Sequence, residues 1–217
     1  MPPGRPGAHP LGIEIVPLPP AARLQATEVL TRAFMHDPSY RRIFPEEDRR
    51  RSMTGLWQAR LTTCLRYGQV LTTPGRAGVS CWLSPGNTDL TCWKILRTGV
   101  ALPPAVVRFQ PEPRWRFMDM VNATDRLRLQ QMRLPHWYLW ALGADLGRQR
   151  HGIGIALLEP ILERAVRDGT PCYLETETEA NPSFYPRRGF EDEIARLQLW
   201  SMARPPRPGS ETGSGVA

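Results

Sequence analysis

The hydrophobic and polar residues of this chain follow two spacings, one typical of helices and one typical of strands. Apolar residues recur every three to four positions in segments that we predict to be helices: 19–35, 46–66, 88–101 and 114–133. Short runs rich in β-branched and aromatic residues, bounded by turn signals, predict strands at 13–18, 69–73, 77–83, 190–194 and 197–202. The mixture indicates an α/β (α+β) protein.

The clearest pattern lies between residues 136 and 176. An aromatic and aliphatic run at 136–142 predicts a strand and is too short to span a membrane. Glycines 152 and 154 then form a turn that leads into a helix, whose predicted buried face consists of Ile153, Ala156, Leu157, Ile161, Leu162 and Ala165. Gly169 predicts the end of this helix, and 171–176 predicts a second strand. This βαβ unit has a turn whose backbone N–H groups can bind an anion.

The glycine turn does not match the two best-known phosphate-binding motifs. No Gly-Lys-Ser/Thr follows it, which excludes a P-loop, and Leu157 stands where a dinucleotide-binding motif needs its third glycine. What remains is Gln149-x-x-Gly152-x-Gly154 between a strand and a helix. The two glycines alone would fit a tight structural turn equally well.

Composition predicts one domain over 13–204, with disordered tails at 1–12 and 205–217 that are rich in proline, glycine and small polar residues. The sequence contains no run of about 18 apolar residues and no apolar signal segment, so we predict a cytoplasmic protein that contacts no membrane. The cysteines Cys64, Cys81, Cys92 and Cys172 have no metal-ligand spacing, so we expect reduced, mostly buried thiols and no metal site.

The formal net charge of +7 permits attraction of anionic ligands, either coenzyme phosphates or nucleic acid. The arginines are scattered and stand near aspartates and glutamates, as in 45–51, which is typical of a solvated helix face. We therefore predict no nucleic-acid partner, and a nucleic-acid-binding protein remains a rival interpretation.

Four short motifs follow one another between residues 136 and 190. They are Leu142-Gly143-Ala144, the Gln149 to Gly154 turn, Cys172-Tyr173-Leu174-Glu175-Thr176, and Asn181-Pro182-Ser183-Phe184-Tyr185 followed by Gly189-Phe190. In this order and spacing they resemble the GNAT family of N-acetyltransferases, and most closely the bacterial subgroup that includes puromycin N-acetyltransferase.

The resemblance implies the GNAT fold, a mixed, mostly antiparallel sheet that is flanked by helices and opens into a V-shaped acetyl-CoA cleft. It also implies that backbone at Leu142, Gly143 and Ala144 pairs with the pantetheine arm. In such enzymes the turn that begins at Gln149 holds the pyrophosphate through the N–H groups of Arg150, His151, Gly152, Ile153 and Gly154. Asn181 would contact the pantetheine, and Tyr185 would lie near the thioester sulfur in a helix that we predict over 182–188.

The implied reaction transfers an acetyl group from acetyl-CoA, the co-substrate, to a primary amine by direct attack in a ternary complex. An amine with a pKa near 10 is only about one part in a thousand neutral at pH 7, which costs roughly 4 kcal/mol and calls for a general base. Glu175 is the candidate base, with substrate orientation as its alternative role, and it needs a raised pKa to act near neutral pH. Tyr185 is the candidate acid for the departing thiolate.

Three alternatives concern the acceptor and the role of the fold. We expect a small-molecule amine, because the region 85–133 could cover a closed pocket. The rivals are a protein or peptide amine and a non-catalytic GNAT-fold module that binds acetyl-CoA and regulates a partner.

Trp93, Trp115, Phe117 and Met118 are expected to lie in the core or to line a pocket. We expect a monomer or a homodimer.

Overall fold

A computed structural model describes residues 12–89, 111–176, 191–195 and 199–204. Its strands form one seven-stranded sheet with the order β1-β2-β3-β4-β5-β7-β6. Neighbouring strands are antiparallel except β4 and β5, which are parallel. The strands are β1 (Val16–Pro17), β2 (Gly68–Thr72), β3 (Gly78–Leu83), β4 (Trp137–Ala144), β5 (Cys172–Thr176), β6 (Glu191–Ala195) and β7 (Leu199–Arg204).

The helices of the described residues agree with the predicted segments, with one addition. They are α1 (Arg23–Phe34), α2 (Pro38–Ile43), α3 (Glu46–Tyr67), α4 (Pro111–Gln131) and α5 (Ile153–Arg167). The short α2 was not predicted; the Asp37 side chain caps it by accepting from the Ser39 N–H at 3.0 Å, and Pro38 occupies its first turn. The first strand is shorter than predicted, because Val16 already lies opposite Thr72, the last residue of β2, so residues 13–15 extend beyond the end of that strand.

The sheet separates two hydrophobic clusters. The first lies against α1, α3 and α4 and includes Leu30, Trp57, Phe117, Tyr138 and Tyr173. The second lies against α5 and contains its predicted apolar face, together with β-strand residues. All six residues of that predicted face are buried except for small residual exposure, and Gly169 follows the helix with a positive φ of 59°. The local prediction of the βαβ unit is therefore confirmed.

The aromatic and apolar residues predicted for the core of α4 divide between core and surface. Phe117 is buried and stacks on Phe44, with 6.3 Å between ring centroids. Trp115 and Met118 are 65% and 39% exposed, so their placement in the core was wrong. The reason is helical geometry, since residues 115 and 118 share a face that is turned away from that of residue 117. Trp93 and most of the predicted helix 88–101 lie outside the described residues.

Three cysteines of the described chain, Cys64, Cys81 and Cys172, are buried free thiols, as predicted; Cys92 lies outside. Among the described residues, no helix has both the length and the apolar character that crossing a bilayer requires.

Candidate functional site

The parallel strands β4 and β5 separate partway along their length. They pair at three positions, from Trp137 opposite Cys172 to Leu139 opposite Leu174. Beyond these positions, among the described strands, β4 continues only along β3, and β5 continues along β7. The sheet therefore opens between the second half of β4 and the end of β5, where the sequence places its cleft.

A β-bulge lies at the start of this opening. On β3 the consecutive residues Trp82 and Cys81 face Leu139 and Ala141, so Trp140 is an extra residue on β4. Bulges bend a strand and increase its twist, which turns β4 away from β5 at this point. The bulge could not be predicted from the sequence, because no glycine or proline marks the position.

Beyond the bulge, the predicted segment Leu142–Ala144 forms one wall of the opening. Its residues pair with β3 on one side, where Gly143 lies opposite Val79. No described strand pairs with its other side, so alternate N–H and C=O groups there can accept an added strand-like ligand. Gly143 also permits close packing, since a Cβ there would lie 2.9 Å from Leu30 Cδ2 and 3.1 Å from Ala33 Cβ of α1.

The N-terminus of α5 lies beside this wall. Gly152 is its N-cap with a φ of 79°, and no side chain caps the helix. The carbonyl of Gly152 accepts from the Ala156 N–H at 3.0 Å, which leaves the N–H groups of Ile153 and Gly154 without intrahelical acceptors. Together with the helix dipole, these groups form an anion-binding geometry.

The side chains of the turn itself are exposed. This holds for Gln149, Arg150 and His151. Arg150 adopts a positive φ of 65°, and His151 Nδ1 lies 2.7 Å from the Gln149 carbonyl oxygen. The turn therefore presents mainly backbone groups to a ligand, and the exposed guanidinium of Arg150 adds an attraction that salt screens.

Replacing Gly152 by alanine should weaken acetyl-CoA binding. A Cβ disfavours the left-handed conformation by roughly 1–2 kcal/mol, so the turn would relax and disturb the N–H groups that follow it. We expect the dissociation constant, measured by calorimetry, to rise by up to about 5- to 30-fold. Gly147→Ala is the matched control, because a Cβ at this neighbouring glycine meets no atom within 4 Å. Equal affinities of the two variants would contradict the role of the turn.

Glu175 lies on β5 on the side of the first hydrophobic cluster. Tyr138 Oη donates to its Oε2 at 2.6 Å. Burial raises the pKa of Glu175 from its ordinary value of 4.5 to about 7, although hydrogen bonds from Tyr138 and Tyr173 act in the opposite direction. The pKa of Glu175 is therefore raised toward neutral pH, as the predicted role of a general base requires. A carboxyl with this pKa is divided between its acid and base forms at neutral pH.

Tyr138 remains a neutral donor to this carboxyl group. Burial raises its pKa well above the ordinary value, and the charge of Glu175 adds to the effect. Neither Tyr138 nor its hydrogen bond was predicted, because the pair joins residues that are far apart in sequence.

Arg128, on α4, is a second residue that the sequence did not single out. Its side chain is only 4% exposed and contacts two carboxylates, Asp89 at 3.2 Å and Asp125 at 3.4 Å. Its Cζ lies 5.8 Å from the ring centroid of Tyr138, and its charge lowers the pKa of Glu175. Arg128 therefore partly counteracts the burial that raises the pKa of the candidate base.

Removing the Tyr138 hydroxyl should move the pH dependence of catalysis. The hydroxyl favours the ionised form of Glu175, so Tyr138→Phe should raise the pKa of that carboxyl further above 7. We expect the acidic limb of the kcat/KM profile to shift to higher pH, with most of the lost activity recovered under alkaline conditions. An unmoved limb would show that the hydrogen bond does not control the base.

The remaining predicted site residues, Asn181 and Tyr185, lie outside the described residues, as do Gly189 and Phe190. Among the described residues, no group of three or more histidine, cysteine, aspartate or glutamate side chains has a metal-binding arrangement.

Comparison with known proteins supports the fold. No model of a known protein family matches the chain. An uncharacterized N-acetyltransferase of Schizosaccharomyces pombe is 29% identical over 173 residues, which is 76% of this chain and 69% of the yeast protein.

Two solved structures share the architecture. The structure described as histone acetyltransferase HPA2 and related acetyltransferase, from Corynebacterium glutamicum, has a TM-score of 0.63 and 21% identity, covering 91% of this chain and 98% of its own. A protein of the yellow fever mosquito, carrying the provisional name arylalkylamine N-acetyltransferase 7, has a TM-score of 0.58 and 14% identity, covering 87% and 85%. These similarities confirm the predicted GNAT fold.

Proposed function

We propose that this chain is an acetyl-CoA-dependent N-acetyltransferase that acetylates a primary amine of a small molecule. The observation that carries the proposal is the half-buried Glu175, with a pKa of about 7, beside the opening between β4 and β5. Such a carboxyl is matched to removing a proton from an ammonium group near neutral pH. The similarity to N-acetyltransferases adds support to the same activity.

The residues present fit acetyl-CoA. The unpaired side of Leu142–Ala144 suits the amides of a pantetheine arm, and the uncapped α5 N-terminus at Gly152 suits a pyrophosphate. Both groups lie at the same end of β4, because Gly78, opposite Ala144, contacts the first turn of α5 at Ile153. When bound there, acetyl-CoA would supply an activated acetyl thioester.

The chain would contribute proton transfers and orientation. Ionised Glu175 takes a proton from the acceptor ammonium, directly or through water, so that the neutral amine can attack the thioester carbonyl carbon. A C–N bond forms and the C–S bond breaks. The departing thiolate takes a proton from Tyr185, which is our proposed acid, and the proton that the attacking nitrogen then loses restores the Tyr185 hydroxyl through water. Tyr138 holds the Glu175 carboxylate in place. Asn181 would complete the pantetheine contacts.

The narrower parts of the proposal come from the sequence. They are the small-molecule acceptor, the likeness to the bacterial puromycin N-acetyltransferase subgroup, a cytoplasmic location, and a monomer or homodimer without nucleic-acid or membrane partners. A protein or peptide amine is the alternative acceptor. A regulatory acetyl-CoA-binding module is the alternative role, and a general base with a matched pKa argues against it.

Two measurements test the proposal. Calorimetry should detect acetyl-CoA binding at tens of micromolar or tighter, and release of free thiol should identify a substrate in a panel of amine antibiotics, polyamines, amino acids and peptides. Absence of coenzyme binding would refute the proposal. Binding without turnover on any amine would favour the regulatory module, and turnover only on peptides would replace the small-molecule acceptor.

A further inference from the structure

Arg60, on α3, carries a positive charge that no carboxylate among the described residues neutralises. The residue is half-buried, its Nη1 donates to Tyr40 Oη at 2.9 Å, and its buried Nε has no hydrogen-bond partner within the part of the chain that the structure describes. Arg128, which also lies near Tyr138, is different, because two carboxylates contact it. Arg60 is therefore a guanidinium with unused donors.

Two tryptophan rings lie close to the guanidinium of Arg60. Its Cζ lies 5.1 Å from the ring centroid of Trp57 and 5.1 Å from that of Trp140. A guanidinium that stacks on an aromatic ring uses its face for this contact. Its N–H groups lie along the edge of the guanidinium plane, and a carboxylate can bind such an edge with two parallel hydrogen bonds. Tyr40 occupies only one of these positions.

Arg60 lies close to the bulge at the start of the opening. Trp140 is the bulge residue at which β4 leaves β5. The charge of Arg60 also reaches Tyr138, whose pKa it lowers, and Tyr138 donates to Glu175. Arg60, Tyr138 and Glu175 therefore share one side of the sheet beside the opening.

Packing alone does not explain a cation at this position. An apolar side chain of similar length could pack against the two tryptophan rings equally well. An unpaired charge that is partly removed from water, by contrast, costs free energy. Buried cations in proteins are usually paired. An anion supplied by a ligand would complete the arrangement.

We propose that Arg60 binds a carboxylate of the acceptor, so that the acceptor is an amine of the amino-acid class. The inference rests on the proposed function of the same site. The carboxylate would anchor the substrate between α3 and the bulge of β4, with its amino group directed to Glu175.

Matched substrate pairs test the proposal on the unaltered protein. Tryptophan is compared with tryptamine, phenylalanine with phenethylamine, and 4-aminobutyrate with butylamine, each with acetyl-CoA and with thiol release as the readout. Hydrogen bonds to charged groups contribute enough to change binding by about 10- to 100-fold. We expect kcat/KM to favour the carboxylated member by this factor in at least one pair. Equal or faster reaction of every plain amine would overturn the proposal.

Substitutions of Arg60 test whether this residue causes the preference for carboxylated acceptors. Arg60→Met should raise KM for the carboxylated acceptor about 10- to 100-fold, with little change in KM for its plain counterpart or in acetyl-CoA affinity. Arg60→Lys, which keeps the charge without the planar fork, should be intermediate. Arg51→Met on the exposed surface of α3 is the control. An equal loss for both members of a pair would assign Arg60 to packing and overturn the proposal.

The outcomes separate this inference from the activity on which it rests. Thiol release with plain amines only would leave the acetyltransferase activity standing and remove the carboxylate site. Failure to bind acetyl-CoA, or to react with any amine, would end both. If Arg60→Met does not fold, the Lys variant and the substrate pairs still decide the question.

Discussion

Replacing Glu175 by glutamine should lower kcat by about 10²- to 10⁴-fold, the range expected when a general base is lost. The amide is similar in size to the carboxyl group and can still accept the hydrogen bond that Tyr138 donates at 2.6 Å. Substrate position should therefore be preserved while proton removal is lost. Acetyl-CoA affinity, measured by calorimetry, should stay within a small factor of the unaltered value, because the proposed coenzyme contacts lie on β4 and α5.

The pH dependence gives an independent check. A base with a pKa of about 7 becomes active as pH rises through that value, so the unaltered enzyme should show an acidic limb near pH 7. Glu175→Gln should lack this limb. Glu163→Gln, at an exposed position of α5, is the matched control and should keep it. A Gln variant that retains both the rate and the limb would leave Glu175 with an orienting role only.

The free energy of unfolding should depend on pH in the direction opposite to activity, because the contribution of Glu175 to stability falls as pH rises. The folded-state pKa of Glu175 lies above its ordinary value of 4.5, so the folded protein binds more protons than the unfolded chain between about pH 4.5 and 7. The contribution of this group to stability is full below 4.5 and is lost as pH rises through 7. Glu175→Gln removes this dependence. The raised pKa of Glu175 thus costs stability at neutral pH, a cost that is common at functional sites.

The parts of this fold that were predicted are those that depend on neighbouring residues. The α5 helix follows from its apolar spacing, its start from Gly152 and its end from Gly169, all of which act within a few residues. The short α2 was missed because it is six residues long and has little room for a periodic pattern. Asp37 and Pro38 lie only a few residues after the end of α1, and they begin α2.

Only part of the candidate site was predicted, because the sequence reveals features that depend on neighbouring residues and not contacts between distant ones. Glu175 was found through a motif in a continuous stretch, whereas its partner Tyr138 depends on the parallel pairing of β4 with β5, which sets Tyr138 opposite Tyr173. Strand register is a long-range property and leaves no mark in a single segment. Arg60 and Arg128 are two arginines among many, and only packing distinguishes them from the exposed ones.

The junction between α3 and β2 should tolerate no side chain at Gly68. A Cβ there would overlap the carbonyl oxygen of Trp82 and come within 2.8 Å of the Leu83 Cα. Both are backbone atoms of β3, so rotation of a side chain cannot relieve the contact. The same junction is tied by Ser84, whose Oγ donates to the Tyr67 carbonyl at 2.8 Å. Gly68 therefore lets α3 lead directly into the sheet.

Gly68→Ala should lower the free energy of unfolding by about 3 kcal/mol or more, because β2 must move away from β3 or α3 must shift. Urea unfolding measures the loss, and Gly75→Ala in the β2–β3 turn is the control, since a Cβ there meets nothing within 4 Å. The control should change stability by no more than about 0.5 kcal/mol. Any displacement of α3 also moves Trp57 and Arg60. The fraction of the variant that still folds should therefore lose more affinity for the acceptor than for acetyl-CoA. Equal stability of the two variants would mean that β2 and β3 can separate at this point without cost.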